Sequence, residues 1–406
     1  MYIPRHIESV IKKSFATYPA VLITGPRQVG KSTVLKNLYS DYGYETLDDM
    51  NMIRAISSDP TGFLQLKGTP FIIDEVQKVP DLFGSLKYVI DKNKKDGMYL
   101  LTGSQKFELM KGVSESLSGR ISVIDLLGLS YREIKGDKFN KPFLPTQEYL
   151  LSRKPSSKHD VKDIWEIIHR GAMPALYEND ERDWERYYSD YVSTYIERDV
   201  HSLTQIGDSL AFMQFMVALA GRTGELLNME SLAKDVGVSA PTVKRWISVL
   251  QASNVIYLLQ PFSLNTTKRI IKSPKVYFTD TGLVCYLTRW LTTETLINGA
   301  QAGNIFETFV LGEILKSYYN SGKEPNLYFF RNGDGQEVDL ILYENGKIYP
   351  IEIKKTSSPN IKDIKSFKVL ENYFPTIEVG EGGVICNAET VLPLGYGNKI
   401  IPLEYV

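Results

Sequence analysis

The chain has 406 residues, which is too long for one ordinary domain and predicts two to four. Its hydrophobic content of 43% and charged content of 23% are typical of a globular protein, and they exclude the disordered, collagen-like and disulfide-stapled classes. The 47 basic and 48 acidic side chains leave a net charge of -1, so any surface that binds nucleic acid must be local.

The cysteines and the apolar segments predict a cytoplasmic protein. Cys285 and Cys386 are far apart and predict neither a disulfide nor a zinc site, which suits a reducing compartment. Charged residues near the start of the chain argue against a signal peptide. The apolar stretch 210–221 is shorter than the roughly 18 residues that a membrane span needs. We therefore expect a soluble, cytoplasmic protein with no membrane partner.

Four pieces follow one another along the chain. Residues 1–135 alternate strand-like apolar runs with segments long enough for crossover helices, the pattern of a mostly parallel α/β sheet. The runs lie at 20–24, 44–48, 71–74, 98–102 and 121–127. Residues 136–222 predict a helical linker region, and 223–275 predict a helix–turn–helix followed by a β-hairpin. Residues 276–406 alternate again, with predicted strands at 328–331, 337–342 and 349–354.

A glycine-rich loop follows the first predicted strand and precedes a helix-like segment that starts at Thr33. Its residues are Gly25, Pro26, Arg27, Gln28, Val29, Gly30, Lys31 and Ser32. Glycines let consecutive backbone N–H groups turn toward a polyphosphate at the positive end of a helix, a site that would extend through Thr33. Lys31 would reach the β- and γ-phosphates, and the Ser32 hydroxyl would ligate Mg²⁺. The flanking strand and helix distinguish this loop from a chance glycine-rich turn.

Two carboxylates end the hydrophobic strand 71–74. Beside the phosphate loop, Asp74 would support the Mg²⁺ shell and Glu75 would polarise an attacking water. A capped strand end is the alternative interpretation. A kinase has no use for a second carboxylate aimed at water, so Glu75 favours hydrolysis over a small-molecule kinase. The two motifs together predict ATP and Mg²⁺ as cofactors.

Polar residues after the next two strands could complete this site. Thr102 or Ser104 could hydrogen-bond the γ-phosphate or its water, or could be a turn residue that satisfies its own backbone. Arg120 could neutralise charge in the transition state, in cis or from a neighbouring subunit, or could be a surface ion-pair partner. An oligomer would be needed for the role in trans, while a monomer is compatible with every motif.

These residues resemble an AAA-type ATPase family of bacteria and archaea. The similar segments in the first domain are 25–32, 72–75, 102–104 and 116–120. The segments 194–200 and 272–283 are similar to hallmarks of a C-terminal region that members of this family carry, so the resemblance covers nearly the whole chain. It implies an α/β P-loop NTPase domain with a parallel sheet, a helical and winged-helix segment, and a nuclease-like α/β domain.

Residues 229–252 predict a local DNA-reading module. Gly237 permits the left-handed backbone of a sharp turn between two helices, and Ser239 can cap the second helix. Exposed Thr242, Lys244 and Arg245 would face a major groove. The strands 255–260 and about 269–278 would form a wing, and the basic segment 268–275 would contact phosphates, with Lys268, Arg269 and Lys272 as candidates. The alternative is a helical pair that makes protein contacts between domains.

Strand alternation near the carboxyl end predicts an acidic site. Asp339 on one strand, and Glu352 and Lys354 on the next, would share a face, with Glu307 on a preceding helix as a further oxygen donor. Such oxygens suit Mg²⁺ or Mn²⁺, and Lys354 could activate water. This arrangement resembles the PD-(D/E)xK nuclease family, whose fold is that of restriction endonucleases, although Val338 stands where that motif has proline. The alternative is a solvated face on which Lys354 pairs with Asp339 or Glu352.

The motifs together predict a Mg²⁺-dependent ATPase. Its nucleotide state would control a C-terminal region that binds DNA and could cut it. The chief alternative is a nucleotide-gated regulatory switch, or a DNA-binding protein, whose nuclease-like domain is vestigial.

Overall fold

The computed structural model describes residues 2–104, 109, 110, 112–155, 160–196, 209–264 and 273–406. The predicted phosphate contacts Lys268, Arg269 and Lys272 lie outside these ranges, as does the segment 197–200. No helix within these ranges is long and apolar enough to cross a membrane.

Five parallel strands form the N-terminal sheet. They are β1 (Ala20–Thr24), β2 (Gly43–Thr46), β3 (Phe71–Asp74), β4 (Tyr99–Thr102) and β5 (Ile121–Asp125). Their order across the sheet is β2-β3-β4-β1-β5, and every pairing is parallel. Strand β1 is buried on both faces, since Val21 and Ile23 belong to one apolar cluster while Ala20 and Leu22 belong to another. The predicted parallel α/β sheet is confirmed.

Helices cover this sheet. They are α1 (Glu8–Phe15), α2 (Lys31–Leu38), α3 (Met50–Ser58), α4 (Pro60–Lys67), α5 (Leu82–Asn93) and α6 (Tyr131–Ile134). A short 3₁₀ helix, Val76–Lys78, follows β3, and a π-helical turn, Val113–Leu117, precedes β5. Parallel strands need such crossover connections, and these place all five carboxyl ends at one edge of the sheet.

The middle of the chain is helical and leads into the helix–turn–helix. Its elements are α7 (Gln147–Ser152), α8 (Val161–Arg170), α9 (Ala175–Glu178), α10 (Trp184–Tyr191), α11 (Ser209–Ala220), α12 (Met229–Val236), α13 (Ala240–Ala252), β6 (Ile256–Pro261) and β7 (Lys275–Phe278). The rings of Phe212 and Phe215 in α11 lie 5.4 and 5.1 Å from Trp246 of α13. Helix α11 therefore packs against α13, the second helix of the helix–turn–helix that α12 and α13 form.

The remaining elements form a second sheet with its own helices. The helices are α14 (Thr281–Leu287), α15 (Thr293–Asn298), α16 (Ala302–Tyr319) and α17 (Phe367–Tyr373). The strands are β8 (Leu327–Arg331), β9 (Glu337–Glu344), β10 (Lys347–Ile353), β11 (Glu378–Val379), β12 (Gly383–Cys386), β13 (Leu392–Gly395) and β14 (Asn398–Pro402). Short 3₁₀ turns lie at Ile361–Ile364 and Leu403–Tyr405.

The hairpin of the helix–turn–helix unit is continuous with this second sheet. The strand order is β13-β14-β12-β10-β9-β8-β6-β7, with β11 on β10. Strand β6 pairs antiparallel with β7 and parallel with β8. The expected boundary at 275/276 thus falls within β7 and within one sheet.

One apolar core joins these parts. It includes Val21 of β1, Trp165 of α8, Trp246 of α13, Phe306 of α16 and Leu340 of β9. Because protein interiors are close-packed, this shared core fixes the position of each part relative to the others.

Candidate nucleotide and acidic sites

The glycine-rich loop wraps the start of α2. Gly25 has φ +142°, and a Cβ there would lie 2.0 Å from the Leu126 carbonyl oxygen, so that only glycine fits. Gly30 has φ +92° and directly precedes α2, which begins at Lys31. The first N–H groups of a helix have no partners within the helix, so this end of α2 presents donors to an anion.

Two side chains of the loop are fixed by hydrogen bonds, one within the loop and one to the helical middle region. Lys31 is 6% exposed, and its Nζ donates to the carbonyl oxygens of Gly25 (3.1 Å) and Pro26 (2.8 Å). Gln28 has φ +62°, and its Oε1 accepts a hydrogen bond of 2.7 Å from the Tyr187 hydroxyl of α10. The loop thus contacts the helical middle region directly.

A cavity of about 380 Å³ opens over the loop. It is lined by Arg27, Gln28, Gly30, Lys31, Ser32, Thr33, Glu75, Pro174, Ala175, Glu178 and Arg182. The last four belong to or flank α9, a wall that the sequence motifs did not predict because it lies about 150 residues from the loop. The other predicted loop residues, Pro26 and Val29, are buried behind this surface.

Hard oxygen donors meet at the edge of this cavity. Ser32 Oγ donates to Asp74 Oδ1 at 2.7 Å, Tyr44 donates to Asp74 Oδ2 at 2.6 Å, and Thr102 also donates to Asp74. Asp74 is 5% exposed. A hydroxyl beside a carboxylate suits Mg²⁺, which prefers few protein oxygens and keeps its remaining positions for water and phosphate. The residues present therefore fit a Mg²⁺ site.

Glu75 borders the cavity in a restrained conformation. Its φ is +57°, and its N–H donates to Thr102 Oγ1 at 3.2 Å. Ser104 Oγ donates to Glu75 Oε2 at 3.2 Å, and the Gln77 side-chain amide donates to the same oxygen. The structure brings Ser104 to Glu75 and adds Gln77, whose position in the turn after β3 has no motif to signal it.

Arg120 is separated from the loop of its own chain. Its carbonyl accepts from Ala20, the first residue of β1, whereas the loop follows the last residue of that strand. The strand is five residues and about 16 Å long. The guanidinium of Arg120 donates to Asp91 at 2.6 and 3.1 Å. The expectation of a role in cis is therefore wrong, and a role from a neighbouring subunit stays a prediction.

Arg5 holds the phosphate loop from behind and was not predicted. It is 6% exposed and donates to the carbonyls of Val29 (2.9 Å), Leu127 (2.8 Å) and Gly128 (3.1 Å). Its Nε lies 3.1 Å from Glu133 Oε1. No local pattern marks an arginine whose partners are 24 to 128 residues away.

The helix–turn–helix has the expected local geometry. Gly237 has φ +75° at the end of α12, and Ser239 caps α13 by accepting from the Thr242 N–H at 3.3 Å. Lys244 and Arg245 are exposed. Thr242 is half-buried, and its hydroxyl lies 2.9 Å from that of Ser239.

The predicted acidic residues meet around Lys354. Its Nζ lies 3.0 Å from Asp339 Oδ2 and 2.8 Å from Glu352 Oε2. The Ile353 N–H donates to Asp339 at 2.9 Å, and Ser366 donates to Glu352 at 3.1 Å. Burial and the nearby Asp339 carboxylate raise the pKa of Glu352 above its usual range, while the Lys354 ammonium opposes this shift.

A second lysine, Lys275, enters the same cluster from β7. It is 5% exposed, so it does not belong to the predicted phosphate-contacting face of the wing. Its Nζ lies 2.5 Å from Glu337 Oε1 and 3.4 Å from Glu307 Oε1, and Tyr277 donates to Glu307 at 2.5 Å. Burial and Asp339 raise the pKa of Glu307 above its usual range, while the Lys275 ammonium opposes this shift.

The expected metal set of Glu307, Asp339 and Glu352 does not fit a metal ion in this arrangement. Among the described ranges, no group of three or more His, Cys, Asp and Glu side chains is placed to hold one. The ammonium groups of Lys275 and Lys354 bind the oxygens that a divalent ion would need.

Three family models match the chain. Residues 17–135 match an AAA domain, residues 161–294 match a domain of unknown function (DUF8612), and residues 302–406 match another domain of unknown function (DUF4143). The loop, Asp74 and Glu75 therefore lie in the segment that matches an AAA domain, and its parallel sheet and glycine-rich loop are those of a P-loop NTPase-like fold.

Two relatives and one solved structure are similar to most of this chain. The uncharacterized protein Rv2008c of Mycobacterium tuberculosis is 28% identical over 86% of this chain and 74% of the relative. The uncharacterized protein MJ1544 of Methanocaldococcus jannaschii is 23% identical over 86% of this chain and 77% of that protein. The Walker-type ATPase paby2304 of Pyrococcus abyssi is 15% identical, with a TM-score of 0.44, over 69% of this chain and 94% of that one.

Proposed function

We propose that this protein binds and hydrolyses ATP with Mg²⁺, and that its nucleotide state controls a DNA-binding C-terminal half. The observation that carries the first part is the contact between Ser32 and Asp74 beside Glu75, at the mouth of a cavity floored by the glycine-rich loop. In this proposal Ser32 and Asp74 hold Mg²⁺, and the backbone N–H groups of the loop bind the phosphates.

Each side chain has a distinct task in hydrolysis. Lys31 would exchange the carbonyl oxygens of Gly25 and Pro26 for phosphate oxygens, so that its buried charge always has partners. Glu75 would accept a hydrogen bond from the attacking water and polarise it. Ser104 and Gln77 would fix the orientation of the Glu75 carboxylate. Bound Mg²⁺ would neutralise charge on the phosphates.

Binding and hydrolysis can be separated by two substitutions. Glu75→Gln keeps the shape of the side chain but removes the carboxylate, so we expect ATP affinity within about threefold of wild type and turnover lowered by about 10² or more. Lys31→Ala should lose ATP binding. The measurements are calorimetry with MgATP and steady-state phosphate release.

Glu178→Gln is the matched control, because Glu178 lines the same cavity from α9 without contacting Ser32 or Asp74. It should turn over at close to the wild-type rate. Wild-type turnover in Glu75→Gln would refute the role of Glu75, and ATP binding by Lys31→Ala at wild-type affinity would refute the nucleotide site.

Exposed Lys244 and Arg245 on α13 support the DNA-binding part of the proposal. The second helix of a helix–turn–helix presents such side chains to a major groove and to phosphates. The alternative, a module that contacts protein, would leave ATP hydrolysis indifferent to DNA. We therefore propose to measure hydrolysis with linear, nicked and single-stranded DNA, where stimulation would support the proposal and its absence would favour the alternative.

The second candidate function is a nucleotide-gated regulator whose nuclease-like domain does not cut DNA. The position of Lys354 between Asp339 and Glu352 favours it. Incubation of the same DNA forms with Mg²⁺ or Mn²⁺ tests it in wild type and in Glu352→Ala. Cleavage that Glu352→Ala abolishes would support a nuclease, and intact DNA in both would support the regulator.

A further inference from the structure

Four carboxylates and two ammonium groups form one cluster of charges on the second sheet and the adjoining α16. The carboxylates belong to Glu307, Glu337, Asp339 and Glu352, and the ammonium groups to Lys275 and Lys354. They come from four elements, namely β7, α16, β9 and β10, with Lys354 directly after β10. The cluster therefore connects β7, the end strand of the second sheet, to α16, β9 and β10.

Each lysine bridges a different pair of carboxylates. Lys275 spans Glu337 and Glu307 at 2.5 and 3.4 Å, and Lys354 spans Asp339 and Glu352 at 3.0 and 2.8 Å. Lys275 is the more enclosed of the two, since its side chain is 6% exposed against 38% for that of Lys354. Its ammonium also lies 5.7 Å from the centre of the Phe329 ring.

Removing either ammonium would leave buried acids without a counter-ion, which is costly. A divalent ion could supply the missing charge, but it would need the same oxygens. A lysine attached to the chain competes with a free ion from a high effective concentration, because its ordering was completed when the protein folded. A displaced Lys275 would also have to give up both of its carboxylate partners while still joined to β7.

We propose that Lys275 and Lys354 are built-in counter-ions that exclude divalent metal from the acidic cluster, and that Lys275 anchors β7 to α16 and β9. The cluster is then a charge-paired joint between the helix–turn–helix unit and the C-terminal domain. This proposal stands whether or not the nucleotide site hydrolyses ATP.

Mn²⁺ binding tests the proposal directly, by the loss of the free-ion signal in electron paramagnetic resonance. The full chain carries Asp74→Asn and no nucleotide is added, so that the nucleotide site lacks the carboxylate that would hold Mn²⁺ beside Ser32. We expect Lys275→Met to bind Mn²⁺ at least about tenfold more tightly than its parent, because Glu307 and Glu337 then need another cation. Lys354→Met should gain Mn²⁺ affinity through Asp339 and Glu352.

Lys347→Met is the matched control, since Lys347 pairs with Glu378 at 2.7 Å on the exposed part of the same sheet. It should gain no Mn²⁺ affinity. If Lys275→Met does not fold, the more exposed Lys354→Met carries the test. Micromolar Mn²⁺ binding by the parent protein, or no gain in the folded lysine variants, would overturn the proposal.

Discussion

The Tyr187 side chain joins the helical middle region to the phosphate loop. Its hydroxyl donates to Gln28, which has a positive φ that most residues avoid. Its ring is held between those of Tyr188 at 5.3 Å and Tyr191 at 6.3 Å. A rigid ring carrying one donor therefore sets the position of the loop before nucleotide arrives, which lowers the ordering cost of binding.

Tyr187→Phe should weaken MgATP binding by about three- to tenfold, the effect of one lost hydrogen bond, because Gln28 loses its donor while the aromatic packing stays. Calorimetry with a non-hydrolysable ATP analogue measures this. Tyr177→Phe is the control, since the Tyr177 hydroxyl donates to the Gly171 carbonyl at 2.7 Å and does not contact the loop. Equal affinities in wild type and Tyr187→Phe would show that the Gln28 contact has no part in binding.

His169 makes the middle region sensitive to acid. Its ring stacks on Trp184 at 4.4 Å, a ring nitrogen lies 2.9 Å from the Trp290 carbonyl, and burial lowers its pKa. Because the unfolded chain takes up this proton more readily, stability is full above the unfolded pKa of about 6.5 and falls as pH drops through it.

We expect His169→Gln to lose less stability than wild type between pH 7 and pH 5, since glutamine cannot take up the proton. Urea unfolding at the two pH values measures the difference. An equal loss in both proteins would assign the acid sensitivity to other groups.

Helix α13 is the element whose outer face decides what the helix–turn–helix binds. Val243, Trp246 and Leu250 anchor its inner face in the core. This pattern fixes the rotation of the helix, so that Lys244 and Arg245 point outward as a pair.

The double variant Lys244→Ala/Arg245→Ala should weaken DNA binding and reduce the dependence of log K on log salt by about 2, one unit per lost phosphate contact. Fluorescence anisotropy over a salt series measures both. Lys162→Ala/Arg289→Ala removes the same charge from exposed positions outside this element and should change neither quantity. An unchanged salt dependence in the α13 variant would contradict the proposed DNA contact.

The elements that sequence could predict are those with local causes. The hydrophobic run of β3 ends at Asp74 and is followed by Glu75. The glycines between β1 and α2 mark the positions where the backbone must adopt a positive φ. In the same way Gly237 and Ser239 determine the turn between α12 and α13.

Contacts between distant segments have no such signature. The pairing of β6 with β8 joins Gln260 to Tyr328, and the ion pair of Arg5 with Glu133 spans 128 residues. Lys275 illustrates this limit. Its position in the basic segment 268–275 predicts a phosphate contact, but in the structure it pairs with Glu307 of α16 and Glu337 of β9. Only the assembled sheet determines that environment.

At the scale of the whole molecule, the turn around α6 connects the phosphate loop to the C-terminal domain. Glu133 accepts from Arg5, which holds the Val29 carbonyl. Two residues earlier, the Tyr131 N–H donates to Glu313 of α16 at 2.7 Å. Nearly all of these groups are buried, so a shift of the loop would be transmitted by hydrogen bonds between rigid elements.

Glu133→Gln tests this connection because it keeps the shape of the side chain and removes the charge that orients Arg5. We expect a loss of about 3 kcal/mol in the free energy of unfolding, since Arg5 stays buried without its ion-pair partner. In wild type, ATP should slow hydrogen exchange in α16, and in Glu133→Gln this protection should be smaller at saturating ATP.

Lys135→Gln is the control, since it breaks an ion pair with Asp163 on the outer side of the same segment and leaves Arg5 untouched. Its ATP-dependent protection of α16 should match wild type. At saturating ATP each variant is fully bound, so differences in ATP affinity do not affect the result. A smaller protection of α16 in Glu133→Gln, but not in Lys135→Gln, therefore reports weaker coupling between the nucleotide site and α16. Full protection of α16 in that variant would mean that the two domains communicate by another route, and the contacts of Tyr187 with the loop would be the next to examine.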